Sequence, residues 1–174
     1  MAVKYKNDLS KTQMCNMYYR MYNRCLTRLA YKDCKICSEW LNNKESFYKW
    51  VSQNYYTIDN EQIDLDKDIL IKGNKIYSPD TCVFVPHHLN ICFSSNLKEP
   101  IYLKKLNKYK IGIWTGTRDI TIGYFDNKEE AIKEYIRHKE AFILTKADKY
   151  KDKIPDTLYN AMIKYKFEIS DFNK

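Results

Sequence analysis

Apolar residues recur at three- and four-residue spacing from Ser10 to Leu29: Met14, Met17, Tyr18, Met21, Tyr22, Cys25, Leu26 and Leu29. That period predicts an amphipathic helix. Ser10 with Gln13 three residues on has the spacing of a capping box. Tyr31 to Trp40 shows no period and reads as a connector. Asn43 is placed to cap a second helix burying Phe47, Trp50, Val51 and Tyr55. Ile63 to Ile71 alternates and predicts a strand, with a turn at Lys72-Gly73-Asn74-Lys75 and a return strand from Ile76-Tyr77. Ser78-Pro79-Asp80 marks another turn. Cys82 to Val85 is a short apolar run that Pro86 interrupts, and His87 to Phe93 fits one or two helical turns.

The second half has the clearer grammar. Residues 96–107 read as a linker, polar first and basic last. Tyr109, Ile111 and Ile113 alternate with Lys110, Gly112 and Trp114; after a turn at Thr115-Gly116, Ile120, Ile122 and Tyr124 alternate with Thr121, Gly123 and Phe125. Two strands follow from that. Asp126 with Glu129 suggests a capping box for a helix burying Ala131, Ile132, Tyr135, Ile136, Phe142, Ile143 and Ala147. A shorter helix after Pro155 would bury Leu158, Ala161 and Met162. The expected fold class is α+β, in two modules: residues 1–95 and 96–174.

Composition narrows the functional classes. The 174 residues carry a net charge of +8, with 16 tyrosines and only four glycines. Neither G-x-x-x-x-G-K-[ST] nor G-x-G-x-x-G occurs, which argues against a nucleotide-driven enzyme. Both halves are basic, the second more so. A basic, aromatic surface suits a polyanion through phosphate neutralisation and counterion release; a solvated lysine-rich surface is the bland alternative. Met1 to Leu9 is polar and does not read as a signal peptide, and no apolar run approaches a membrane helix. The expected compartment is the cytoplasm, where the six cysteines would stay reduced.

The densest polar cluster is Asp64-Leu65-Asp66-Lys67-Asp68, followed by Asn74. On a strand the three aspartates would share one side. Their mutual repulsion would be relieved by Mg²⁺, which binds through one or two carboxylates; a charged, solvated edge strand is the alternative. Cys34-x-x-Cys37, with Cys82 and Cys92, offers a weaker zinc alternative.

The run from Leu65 to Leu70, then Gly73 to Cys82, Val85-Pro86 and Leu89-Asn90, resembles phage-borne HNH-type proteins. So do Asn16-Met17 with Arg20, and Cys37-Ser38-Glu39-Trp40 with Phe47 and Trp50. The resemblance implies a β-hairpin and helix holding one metal ion, here on Asp66 with Asp68 or Asn74 assisting. It also exposes a departure. Lys67 stands where the family's catalytic histidine belongs, and an ordinary lysine, with a pKa of about 10.4, is a poor base at neutral pH. Lys67 would then touch the scissile phosphate, and the base would be His87, His88 or a metal-bound hydroxide. Gly123-Tyr124-Phe125-Asp126 leading into Glu129-Glu130-Ala131 is similar to the DNA-binding domain of plant ethylene-response factors. That likeness implies a three-stranded antiparallel sheet packed on a long helix. Its outer face would present Lys108, Lys110, Trp114, Arg118 and Thr121 to double-stranded DNA. Two functions follow from these resemblances: a Mg²⁺-dependent DNA endonuclease, or an inactive relative that binds DNA as a regulator or blocks a host nuclease or defence protein. RNA binding through the tyrosine-rich surface is a third, because aromatic rings stack on unpaired bases.

Overall fold

A computed structural model describes residues 9–93, 97–115 and 118–172. Most of the Met1–Leu9 segment, the first residue of the predicted linker and Gly116 of the predicted turn lie outside them. The fold is α+β, as expected. Helix α1 (Lys11–Thr27) begins at Ser10, whose side chain and Gln13 cap each other reciprocally. Helix α3 (Lys44–Asn54) is capped by the Asn43 side chain on the Glu45 N–H. Between them the predicted connector is ordered: strand β1 (Lys35–Ile36) and the short helix α2 (Ser38–Asn42) bring Trp40 into the core. Trp40, Phe47 and Tyr18 pack edge to face, with ring centroids 4.9 and 5.6 Å apart. Their burial and edge-on geometry supply much of the packing here.

The strand readings need correction. Strand β2 stops at Asp66 (Ile63–Asp66), five residues short of Ile71. The Asp66 side chain captures the next two free backbone N–H groups and turns the chain, so Asp68 does not continue the row of Asp64 and Asp66. The segment Ile76–Tyr77 is strand β3, but it pairs in parallel with β1 rather than returning along β2. The partner of β2 is β4 (Val83–Pro86), antiparallel, with Ile63 opposite Pro86 and Asp66 opposite Val83. Pro86 therefore ends a strand instead of interrupting one. Helix α4 (His87–Asn90) follows at once, and a 3₁₀ turn carries the chain to Phe93.

The predicted linker contains strand β5 (Ile101–Leu103), the edge of a three-stranded antiparallel sheet with β6 (Lys108–Trp114) and β7 (Asp119–Phe125) in the order β5-β6-β7. A bulge lies between Ile111 and Gly112. A Cβ on Gly112 would stand 2.7 Å from the Ile120 carbonyl oxygen, so only glycine fits there. Helix α5 (Lys128–Tyr150) packs across the sheet. Its cap lies one residue later than predicted: Asn127 accepts the Glu130 N–H, while Asp126 accepts a bond from the Lys108 ammonium at 2.8 Å. Helix α6 (Asp156–Lys164) buries Leu158 and Met162.

Two apolar clusters result. The smaller joins Ile111 and Ile113 of the sheet to Ala131, Ile132 and Tyr135 at the start of α5. The larger joins α1, α3, β4 and α4 to Ile143, Ala147 and Tyr150 at the far end of α5, and to Leu158 and Met162 of α6. Helix α5 thus serves both cores, one with each half of its length.

Candidate functional site

Asp66, Lys67, Asp68 and Asn74 are brought together by the turn after β2. The Asp66 Oδ1 accepts from the N–H groups of Asp68 and Ile69, each at 2.8 Å. Burial, and then the nearby Asp68 charge, pushes the Asp66 carboxyl up to about 6. Lys67 is 6% exposed. Its ammonium lies 3.2 Å from Asp68 Oδ2 and over the rings of Tyr31 and Tyr77, 5.5 and 5.7 Å from their centroids. Burial works to lower its pKa, but Asp68, Cys34 and Asp66 outweigh it and the net shift is upward. Lys67 therefore stays protonated at neutral pH and does not act as a base. Asn74 donates to the carbonyls of Lys67 and Ile76, both at 2.7 Å, and stitches the turn closed.

His87 and His88 are not part of this group. They sit at the opposite end of the β2–β4 pair, where the His87 N–H donates to the Gln62 carbonyl. The His87 Nδ1 lies 2.6 Å from Asp64 Oδ2, which also accepts from Asn90 at 3.2 Å; Gln62 bonds the other Asp64 oxygen at 2.8 Å. Burial alone would raise the Asp64 carboxyl, but these bonds hold it below its usual range. His88 instead turns toward Glu61, 3.3 Å from its Nδ1, and Tyr150, and its Nε2 is buried without a partner.

A divalent ion would find two carboxylates at the turn. Asp66 keeps one oxygen free of backbone bonds, and Asp68 shares its charge with Lys67. That donor set suits Mg²⁺, which binds through one or two carboxylates and keeps several waters. Among the described residues no three His, Cys, Asp or Glu side chains are grouped to hold a metal ion. The four cysteines of the zinc alternative accordingly do not converge. Cys34 is buried within electrostatic reach of Cys25 and Lys67, and Cys82 of Cys37. Cys92 donates to the His88 carbonyl at 3.3 Å. Burial pushes the Cys82 thiol up to about 12.

The face of the sheet turned away from α5 is open. Lys110 stands opposite Tyr124, Gly112 opposite Thr121, and Trp114 opposite Asp119. Trp114 is 46% exposed and Tyr124 49%, and Thr121 and Arg118 are exposed beside them. Lys108 and Lys98 are neutralised by Asp126 and Asp119. Among the described residues, Lys110 and Arg118 have no carboxylate partner. The β5–β6 turn adds Lys104 and Lys105, both exposed. Compared with known proteins, the chain matches no family model, no curated protein and no solved structure. No helix of the described residues is long and apolar enough to cross a membrane.

Sequence reasoning passed over three participants. The alternation groups Tyr124 with Ile120 and Ile122, because the bulge that shifts the register and sets Tyr124 beside Lys110 leaves no mark in an alternating pattern. Asp64 was seen only as one of three aspartates. Lys139 escaped notice although it stands on the buried stripe of α5, between Tyr135 and Ile143; a charged residue at an apolar heptad position was the available signal.

Proposed function

We propose that this protein binds double-stranded DNA through the open face of its three-stranded sheet. The observation that carries the reading is the contrast between the two faces. One is filled by α5, and the other leaves Arg118, Thr121, Trp114 and Tyr124 exposed and Lys110 half-buried, with Lys110 and Arg118 lacking a carboxylate partner among the described residues. The likeness to ethylene-response-factor domains and the net charge of +8 point the same way. A ribbon of strands fits the major groove. Arg118 reaches base edges there, most naturally guanine, while Lys110 and the turn lysines meet phosphate. The test is fluorescence anisotropy with duplex DNA over a salt series, for the native chain and a Lys110→Ala/Arg118→Ala variant. Weaker binding and a shallower salt slope in the variant support the reading. Equal binding by both sinks it, and a preference for single-stranded RNA moves it to unpaired bases.

A second reading, metal-dependent cleavage of the bound DNA, has one specific observation in its favour: the closely placed carboxylates of Asp66 and Asp68, one of them raised to about 6. Mg²⁺ there would supply charge stabilisation for a departing phosphate oxygen. Asp66 and Asp68 would hold the ion, and the Lys67 ammonium would attract the phosphate. The protonated state of Lys67 and the distant placement of His87 make binding without cleavage the better supported of the two. Supercoiled plasmid with Mg²⁺ or Mn²⁺, beside an Asp66→Ala control, decides between them by nicking that the control lacks.

A further inference from the structure

A cavity of about 450 Å³ lies between the α4 region, the open end of the β6–β7 pair and the middle of α5. That volume is in the range of small-ligand sites. Its walls include His88, Trp114, Tyr135, Lys139, Phe142 and Lys146. Lys139 is only 8% exposed and, among the described residues, has neither an ion pair nor a hydrogen bond. Burial depresses its pKa, opposed only by Cys92. Leaving an ammonium desolvated and unpaired is costly, and a fold gains nothing from it at a position flanked by Tyr135 and Ile143. Lys146 reaches the same cavity, resting on the Phe142 ring at 5.2 Å, again with no carboxylate beside it among the described residues. The other cation of the wall, Lys98, is already balanced by Asp119.

The chemistry of an occupant follows from these groups. Two uncompensated lysines call for a dianion, and a phosphate monoester carries a charge of about −1.5 to −2 at neutral pH. Trp114, 46% exposed, and the partly buried Phe142 offer aromatic surface on which a planar ring can stack. We propose that this cavity is a binding site for a 5′-mononucleotide unit, its phosphate between Lys139 and Lys146 and its base against the aromatic wall. The unit is either a free nucleotide or an unpaired nucleotide at the end of a strand. The site uses other residues than the sheet reading, Trp114 excepted, and either can fail without the other.

The test is calorimetric titration of the full chain with deoxynucleoside 5′-monophosphates, the matching nucleosides and inorganic phosphate. A hairpin with an unpaired 5′-phosphorylated terminal nucleotide completes the set. Saturable binding of the monophosphates is expected, with nucleoside and phosphate each weaker by roughly tenfold or more. Saturable binding of the hairpin alone assigns the strand end as the source and equally upholds the site. Lys139→Met should lose binding without a fall in the urea midpoint, and Lys146→Ala, at a partly exposed position, should weaken it in a chain that folds normally. No saturation by either nucleotide source, or binding unchanged in both variants, overturns the proposal. Duplex binding measured on the same preparations shows which of the two readings has failed.

Discussion

Lys67 and Lys139 are the two charged side chains buried among the described residues, and their surroundings are opposite. Lys67 lies under two tyrosine rings with Asp68 at 3.2 Å and Asp66 close by, so its pKa rises despite burial. Lys139 faces a cavity with a thiol as its nearest ionisable neighbour, and its pKa falls. A paired buried lysine is explained by the fold, because its charge holds a turn in place. An unpaired one is not, and that difference directs attention from the aspartate-rich turn to the cavity beside α5.

The comparison breaks most visibly if Lys67 proves dispensable. Lys67→Met leaves Asp68, and through it Asp66, without its cation. Removing one partner of a buried pair should cost roughly 3 kcal/mol, the partial solvation of Asp68 keeping the effect at the low end. Urea unfolding monitored by circular dichroism measures it, and an unchanged midpoint would remove the structural explanation of this lysine. Asp66 sharpens the same point through pH. Its folded pKa of about 6 lies above the ordinary 3.8, so the native state holds the proton more tightly than the unfolded chain does. The stability this contributes is complete below pH 4 and is lost as pH rises through 6, a swing on the order of 3 kcal/mol. Asp66→Asn keeps an oxygen for both backbone N–H groups and should flatten that slope in metal-free buffer. A slope that survives assigns it to another group.

Smaller effects test the other side. The Lys110→Ala/Arg118→Ala change should leave stability within about 0.5 kcal/mol of the native chain, because both side chains are unpaired surface cations. It should lower the slope of log affinity against log salt by roughly 1, for the phosphate contact of Lys110, with the loss of Arg118 lowering affinity further. A slope that does not move means that neither side chain neutralises a phosphate. A small shift, opposite in sign to that of Lys67→Met, is expected for Lys139→Met. An apolar side chain on a buried helical stripe should gain up to about 1 kcal/mol over an unpaired ammonium. A large loss would show that Lys139 supports the fold and would erase the contrast.

Where local chemistry dictates local structure, the sequence was legible. The Ser10–Gln13 box, the Asn43 cap, the alternation of β6 and β7 and the periodic α5 all stand where their residues place them. The strand between Ile63 and Ile71 was misread, since alternation cannot show that the Asp66 side chain outcompetes strand pairing for the next two N–H groups. The β1–β3 and β2–β4 pairings were hidden as well. Strands of two to four residues carry almost no periodic signal, and their partners are chosen by packing across a long loop.

By itself, then, the sequence determined the longer helices, the caps of α1 and α3, the fold class, the basic charge and the exclusion of a phosphate-cradling loop, because each is set by neighbours along the chain. Tertiary structure alone decided that Asp66 is bound to backbone and Lys67 to Asp68, that His87 serves Asp64 at the far end of the hairpin, and that Lys139 is buried beside a cavity. Those outcomes depend on which distant surfaces exclude water together. A linear pattern records the preference of each residue but not the company that packing gives it.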